Sequence, residues 1–172
     1  MKKLLTLILL SAASSAFAAS PYVGASAGYL IDLEEHFFSA RLGSDVAQAQ
    51  GLIHSIEAEI GIATEKEFGA TADFIPVMGN YRIASDLSQN PFGFFAGAGL
   101  GTARIMVSGY GLEDSAWTFA VQVFAGVEYK VTTAFSLTLG ARYIWIDEVK
   151  LLGTSVDVGD DVALEAGIRF RF

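Results

Sequence analysis

The side chains best suited to chemistry are two histidines, His36 and His54, and a scattered set of carboxylates and arginines. His54 adjoins Ser55, with Glu57 close by: the residue types of a base, a nucleophile and an orienting acid. That chemistry requires convergence. If 52–63 is a strand, Ser55 and Glu57 point to the face opposite His54, so the three do not meet locally. His36 and Ser39 are opposed in the same way. Two histidines at these spacings make no metal set, and a chain without cysteine offers no thiolate ligand or nucleophile. The run FGFFAGAGLG at 92–101 has glycine at every second place but departs from G-x-G-x-x-G, and no helix follows it. No catalytic, cofactor-binding or metal residue is therefore assigned, and no cofactor is expected.

Each of these judgements rests on strands. Alternation is clearest at the end of the chain. In 160–172, Val162, Leu164, Ala166, Ile168, Phe170 and Phe172 take one face, with Glu165, Arg169 and Arg171 on the other. Further strands are predicted at 22–30, 36–43, 52–63, 70–83, 92–107, 117–130 and 135–147, which makes eight. Pro76 has no N–H to give a ladder, so a bulge or local irregularity is expected there. Segments 44–50, 85–91 and 131–134 read as turns on one side. Segments 31–35, 64–68, 108–116 and 149–160 read as loops on the other, carrying Asp32, Glu34, Glu35, Glu113, Asp114, Asp157 and Asp160.

The two faces differ in kind. One is apolar, with aromatic residues at both ends of 117–130 and of 135–147. The span from Trp117 to Tyr129 is roughly 20 Å, near the height of a lipid-facing band. Tyr22, Tyr29, Tyr81, Trp117, Tyr129, Tyr143 and Trp145 are assigned to an aromatic girdle. The other face collects Glu57, Glu59, Arg82, Glu128, Arg142, Glu165, Arg169 and Arg171. Four acids and four bases inside a narrow barrel must pair, and they form an interior charge network that plugs the lumen.

Composition agrees. The chain is 52% hydrophobic, yet beyond the first residues no apolar run is long enough for a membrane helix. Lys2 and Lys3, the run Leu4–Leu10 and Ala16-Phe17-Ala18 have the three parts of a signal peptide, placed at 1–18. Of the 11 basic residues, 9 remain once Lys2 and Lys3 are removed, against 19 acidic ones, a formal charge of −10. Nucleic acid is excluded as a partner, since that binding rests on basic patches.

The signal region, PYVGASAGY, FGFFAGAGLG, FAVQVFAGVEYKVTTAFSLTLGARY and GIRFRF together resemble the small porin-like outer-membrane β-barrel family, OmpA/OmpX-type, over 19–172. The fold class expected is all-β: an antiparallel, up-and-down, eight-stranded transmembrane β-barrel, exported to the bacterial outer membrane, without a peptidoglycan-binding domain. The resemblance implies that Ile168, Phe170 and Phe172 form the signal read by the outer-membrane assembly machinery. It implies a non-enzymatic structural or surface role, with outer-membrane lipid and lipopolysaccharide as partners, a monomeric state and an extracellular partner that stays undefined. Three alternatives remain open: a small-hydrophobe conduit lined by Phe95, Phe124, Ile144 and Ile146; a lipid-modifying barrel enzyme; and a soluble periplasmic lipocalin-like binder, in which the two faces would be inverted.

Overall fold

The structure is a computed structural model that describes residues 20–67, 70–109, 112–151, 154–156 and 159–172. The segment assigned as a signal peptide, and Asp157, lie outside the described residues. The long strands are β1 (Ser20–Leu30), β2 (Glu35–Ala49), β3 (Leu52–Glu67), β4 (Ala70–Ser85), β5 (Phe92–Gly109), β6 (Leu112–Lys130) and β7 (Phe135–Ile146). Two short strands, β8 (Val149–Leu151) and β9 (Thr154–Val156), make a separate hairpin before β10 (Gly159–Arg171). The eight long strands close into a barrel, each antiparallel to its neighbours, with β10 pairing β1 through Val23–Phe170 and Tyr29–Leu164. Closure leaves no edge, which explains how a terminal strand tolerates Phe170 and Phe172 without templating aggregation.

The period-2 alternation selects which face is which. Leu42, Ile60, Leu100, Val123, Leu139 and Leu164 point outward at mid-height from six strands and are 53–65% exposed. A belt of that kind is unstable against water and suits hydrocarbon. The ionic side chains point inward, so the inverted arrangement of a soluble lipocalin-like binder does not occur.

Several boundaries differ from the sequence reading. The predicted turn at 44–50 is mostly strand: β2 runs on to Ala49, with a register shift between Asp45 and Ala47. Its polar residues are the inner face of a strand end, which a hydrophobicity pattern cannot distinguish from a turn. The true turn is Gln50–Gly51, with φ of 53° and 77°. Such a two-residue link takes positive φ at both places, where Asn-Gly is the favoured pair. Replacing Gln50 by Asn should therefore stabilise the barrel by about 0.5 kcal/mol, read from the urea midpoint in detergent micelles by Trp fluorescence.

The segments 64–68 and 108–116 are likewise largely ladder, through Glu67–Ala70 and Gly109–Leu112. These hairpins stand beyond the apolar belt, where no alternation is required of them. At Pro76 the β3–β4 ladder lapses between Ile60–Val77 and Ala63–Phe74, with equal residue counts on both strands. The irregularity is a gap rather than a bulge.

Candidate functional site

The barrel interior is stacked in layers. At the end away from the chain termini, Leu30, Phe37, Phe74, Met78, Ile105, Ile144 and Ile146 pack into one apolar cluster. Below it lies a first ionic layer. Arg142 reaches Glu59 at 2.6 Å and Glu165 at 2.6 Å, and donates to Gln122 Oε1 at 2.6 Å. Arg41 holds the same two acids at 3.3 and 2.7 Å. Asn80 and Gln122 donate to the remaining Glu59 oxygen at 2.7 and 3.0 Å.

The second layer sits closer to the termini. Arg82 and Arg169 share Glu128 Oε2 at 2.5 and 3.1 Å, and Arg169 also meets Glu57 at 3.4 Å. Arg171 pairs Asp45 at 3.3 Å and lies 3.8 Å from Glu128. All eight residues assigned to the interior face inward, seven of them fully buried and Arg171 at the lower rim.

Three features escaped the sequence. Arg41 and Asp45 belong to these layers; Arg41 shares parity with Ser39 and Gly43, and that was the available signal. Tyr22 is misassigned to the girdle. It is 1% exposed, points inward, donates to Glu57 at 2.7 Å and lies under the Arg169 guanidinium, 4.4 Å from its ring centre. Its parity with Gly24 and Ser26 already placed it inside. Tyr29, Tyr81, Trp117, Tyr129, Tyr143 and Trp145 point outward and are 37–59% exposed. Ile168, Phe170 and Phe172 are also outward, with Phe170 and Phe172 edge-to-face at 5.4 Å.

Inward aromatics sit over glycines of neighbouring strands. A Cβ at Gly43 would lie 2.5 Å from the Tyr22 ring, and one at Gly126 would lie 2.7 Å from Phe95. The glycines are thus sockets for rings as well as relief for curvature.

The histidines do no joint work with serine. His36 stacks edge-on against Tyr29 at 5.7 Å, and His54 Nδ1 lies 2.6 Å from the Tyr81 hydroxyl, both on the outer wall. Ser55 donates inward to Asp45 at 2.7 Å, and Ser39 meets Ser26 at 2.8 Å. Among the described residues no group of three or more His, Asp or Glu could hold a metal ion. The conduit alternative fares poorly too. Ile144 and Ile146 join the apolar layer, Phe95 and Phe124 pack 6.4 Å apart against the glycine wall, and ion pairs fill the space beneath.

Charge is partitioned along the axis. The interior and the end near the termini hold six bases, Lys130 and five arginines, and six acids, Asp86 among them. At the opposite end, the described segments 31–35, 64–67, 70–73, 104–109, 112–114, 147–150 and 160–161 carry twelve acids and three bases. Nearly all the net charge of the barrel therefore lies at one mouth. Asp161 there accepts the backbone N–H groups of Asp32 and Leu33, both at 3.1 Å, and so fixes the 31–34 turn.

The chain resembles known barrels along most of its length. Neisserial surface protein A superposes with a TM-score of 0.71 at 24% identity, covering 91% of this chain and 100% of that one. A major outer membrane protein from Thermus thermophilus gives 0.65 at 11% identity, covering 91% and 100%. The outer membrane enzyme PagL gives 0.51 at 15% identity, covering 87% and 98%. These likenesses establish the fold, and the last one makes the fold alone silent on catalysis. No curated protein matches the chain significantly. The profile of the outer membrane protein beta-barrel domain covers residues 4–170, and with a closed eight-stranded barrel belted in apolar side chains the chain belongs to that family of bacterial outer-membrane proteins.

Proposed function

We propose that this barrel is a non-enzymatic surface protein: a plugged, rigid stave cylinder whose work is done by the acidic mouth it holds outside the cell. The observation that carries this reading is the charge partition. An interior with as many bases as acids is spent on holding itself together, while the unbalanced carboxylates stand where outside partners meet them. The serines near the histidines bond elsewhere, and the lumen is filled, which favours a binding role over hydrolysis or transport.

The orientation follows from the termini. The Gln50–Gly51, 86–91 and 131–134 links face the periplasm with them; the acidic mouth faces out, beside lipopolysaccharide. The amino-terminal segment would serve as the export signal, and Ile168, Phe170 and Phe172 as the address for the assembly machinery. The isolated closed barrel is monomeric in this reading.

The chain has no cysteine, so single-cysteine labelling tests it cleanly. In intact cells an impermeant maleimide should label Glu113→Cys and spare Gln50→Cys until the outer membrane is broken. The unheated protein should also run at a different mobility from the boiled one on SDS gels. Labelling at position 50 in intact cells, or recovery as a soluble periplasmic protein, would overturn the proposal.

A further inference from the structure

We infer that the outer mouth binds a small organic cation, a primary ammonium borne on a short alkyl or aryl body. This goes beyond the surface role proposed above and rests on its orientation. Where the outer ends of β2, β3, β4, β5 and β7 meet, the mouth contains a cavity of about 110 Å³. Its wall is almost wholly apolar, from Ala63, Phe74, Ile105 and Ile146, with Leu33 at the lip; Asp73 also borders it, its carboxylate accepting from the Thr64 hydroxyl at 2.7 Å. An apolar hollow of about 150 Å³ stays dry and accepts benzene, so this one, which is open above, suits a body of phenyl or isobutyl size.

The floor decides that the guest stays rather than passes. Phe37, Met78 and Ile144 belong to the same apolar cluster, and the Arg142–Glu59–Glu165 layer lies beneath them. Entry and exit are from the outside.

The lip decides the sign of the charge. Glu35 and Glu65 line the cavity from adjacent strands, each two residues beyond the paired Phe37 and Ala63. Both are half-buried, and among the residues whose side chains are described none forms an ion pair with either. Like charges on neighbouring strands repel, and the apolar wall beside them offers no donor. One ammonium supplies three donors and relieves both carboxylates together. The surrounding excess of acids steers cations toward the same place and turns anions away. A neutral body of equal shape would fill the hollow yet leave the carboxylates as they are.

The test uses the full barrel in detergent micelles, with isotope-labelled isoleucine methyl groups, and benzylammonium as probe. Benzyl alcohol and benzoate serve as neutral and anionic counterparts. The Ile105 and Ile146 methyl signals should shift saturably with benzylammonium, at least ten-fold more weakly with benzyl alcohol, and not with benzoate. Glu35→Gln with Glu65→Gln should weaken benzylammonium at least ten-fold. Ala63→Leu, which fills the hollow, should abolish the shift. Each variant is first checked for the heat-dependent mobility of a folded barrel. Equal binding of benzyl alcohol, undiminished binding by the double variant, or no saturable shift in a folded barrel would each overturn the inference and leave the surface-barrel reading standing. Exposed labelling of position 50 would instead sink that reading.

Discussion

Replacing Arg142 by methionine should cost the folded barrel about 3 kcal/mol, the scale for removing one partner of a buried ion pair. The side chain is 2% exposed and is the hub of the first ionic layer, holding Glu59, Glu165 and Gln122 at once. Without it, two carboxylates that are 1% and 9% exposed would keep only neutral donors and one shared cation, Arg41, which lies 3.3 Å from one of them and 2.7 Å from the other. The loss comes from stranded charge rather than from lost attraction, so a second change should undo much of it. Arg142→Met combined with Glu165→Gln should recover more than about 1 kcal/mol relative to the single variant, a coupling expected of direct neighbours. Urea unfolding in micelles, followed by the fluorescence of Trp117 and Trp145, measures both. Equal stability of wild type and Arg142→Met would show that the layer is hydrated and contributes little.

Gly126→Val is expected to be as severe, for a steric reason. A Cβ there would run into the carbonyl oxygen of Leu139 and lie 2.7 Å from both Gly140 Cα and Phe95 Cζ. A ring can turn aside, but the backbone of the neighbouring strand cannot, since Gly126 and Gly140 are paired in the ladder. Overpacking typically costs about 1–3 kcal/mol, and backbone contact places this case at the upper end or beyond. The variant should show markedly reduced heat-resistant barrel in refolding gels. Gly51→Ala, in open space at a turn, should lose only about 1 kcal/mol and fold normally.

Much of this barrel was legible because a strand repeats every two residues. Once one lipid-facing residue is placed, every other side chain on that strand is assigned. That logic put Glu59, Arg82, Glu128 and Arg142 inside without coordinates. It failed where the outward face is not apolar. At the end of β2 the register shifts between Asp45 and Ala47 and breaks the alternation, which is why Asp45 reads as part of a turn and Arg41 goes unnoticed. The ends of β5 and β6 stand above the lipid, so their ladder had no hydrophobic signature. Tyr22 was misplaced for another reason: an aromatic near a strand end fits a girdle, and its parity was outweighed. The apolar hollow at the mouth could not be read at all, because it depends on how residues from β2, β3, β4, β5 and β7 meet across the lumen.

The ionic layers also bear on how the barrel shuts. Arg171 and Asp45 are 126 residues apart, Arg41 and Glu165 are 124 apart, and Arg169 and Glu57 are 112 apart. None of these pairs can form while β1 and β10 are separate. A partly zipped sheet would hold bare guanidinium and carboxylate groups toward lipid, where each is costly. Arg41–Glu59 and Arg142–Glu165 join strands that are already paired, but the pairs across the seam stay open until it docks, so partial closure is unfavourable and docking the last seam neutralises the remaining charges together. The plug that makes the lumen impassable is, on this view, also the latch that makes assembly all-or-none.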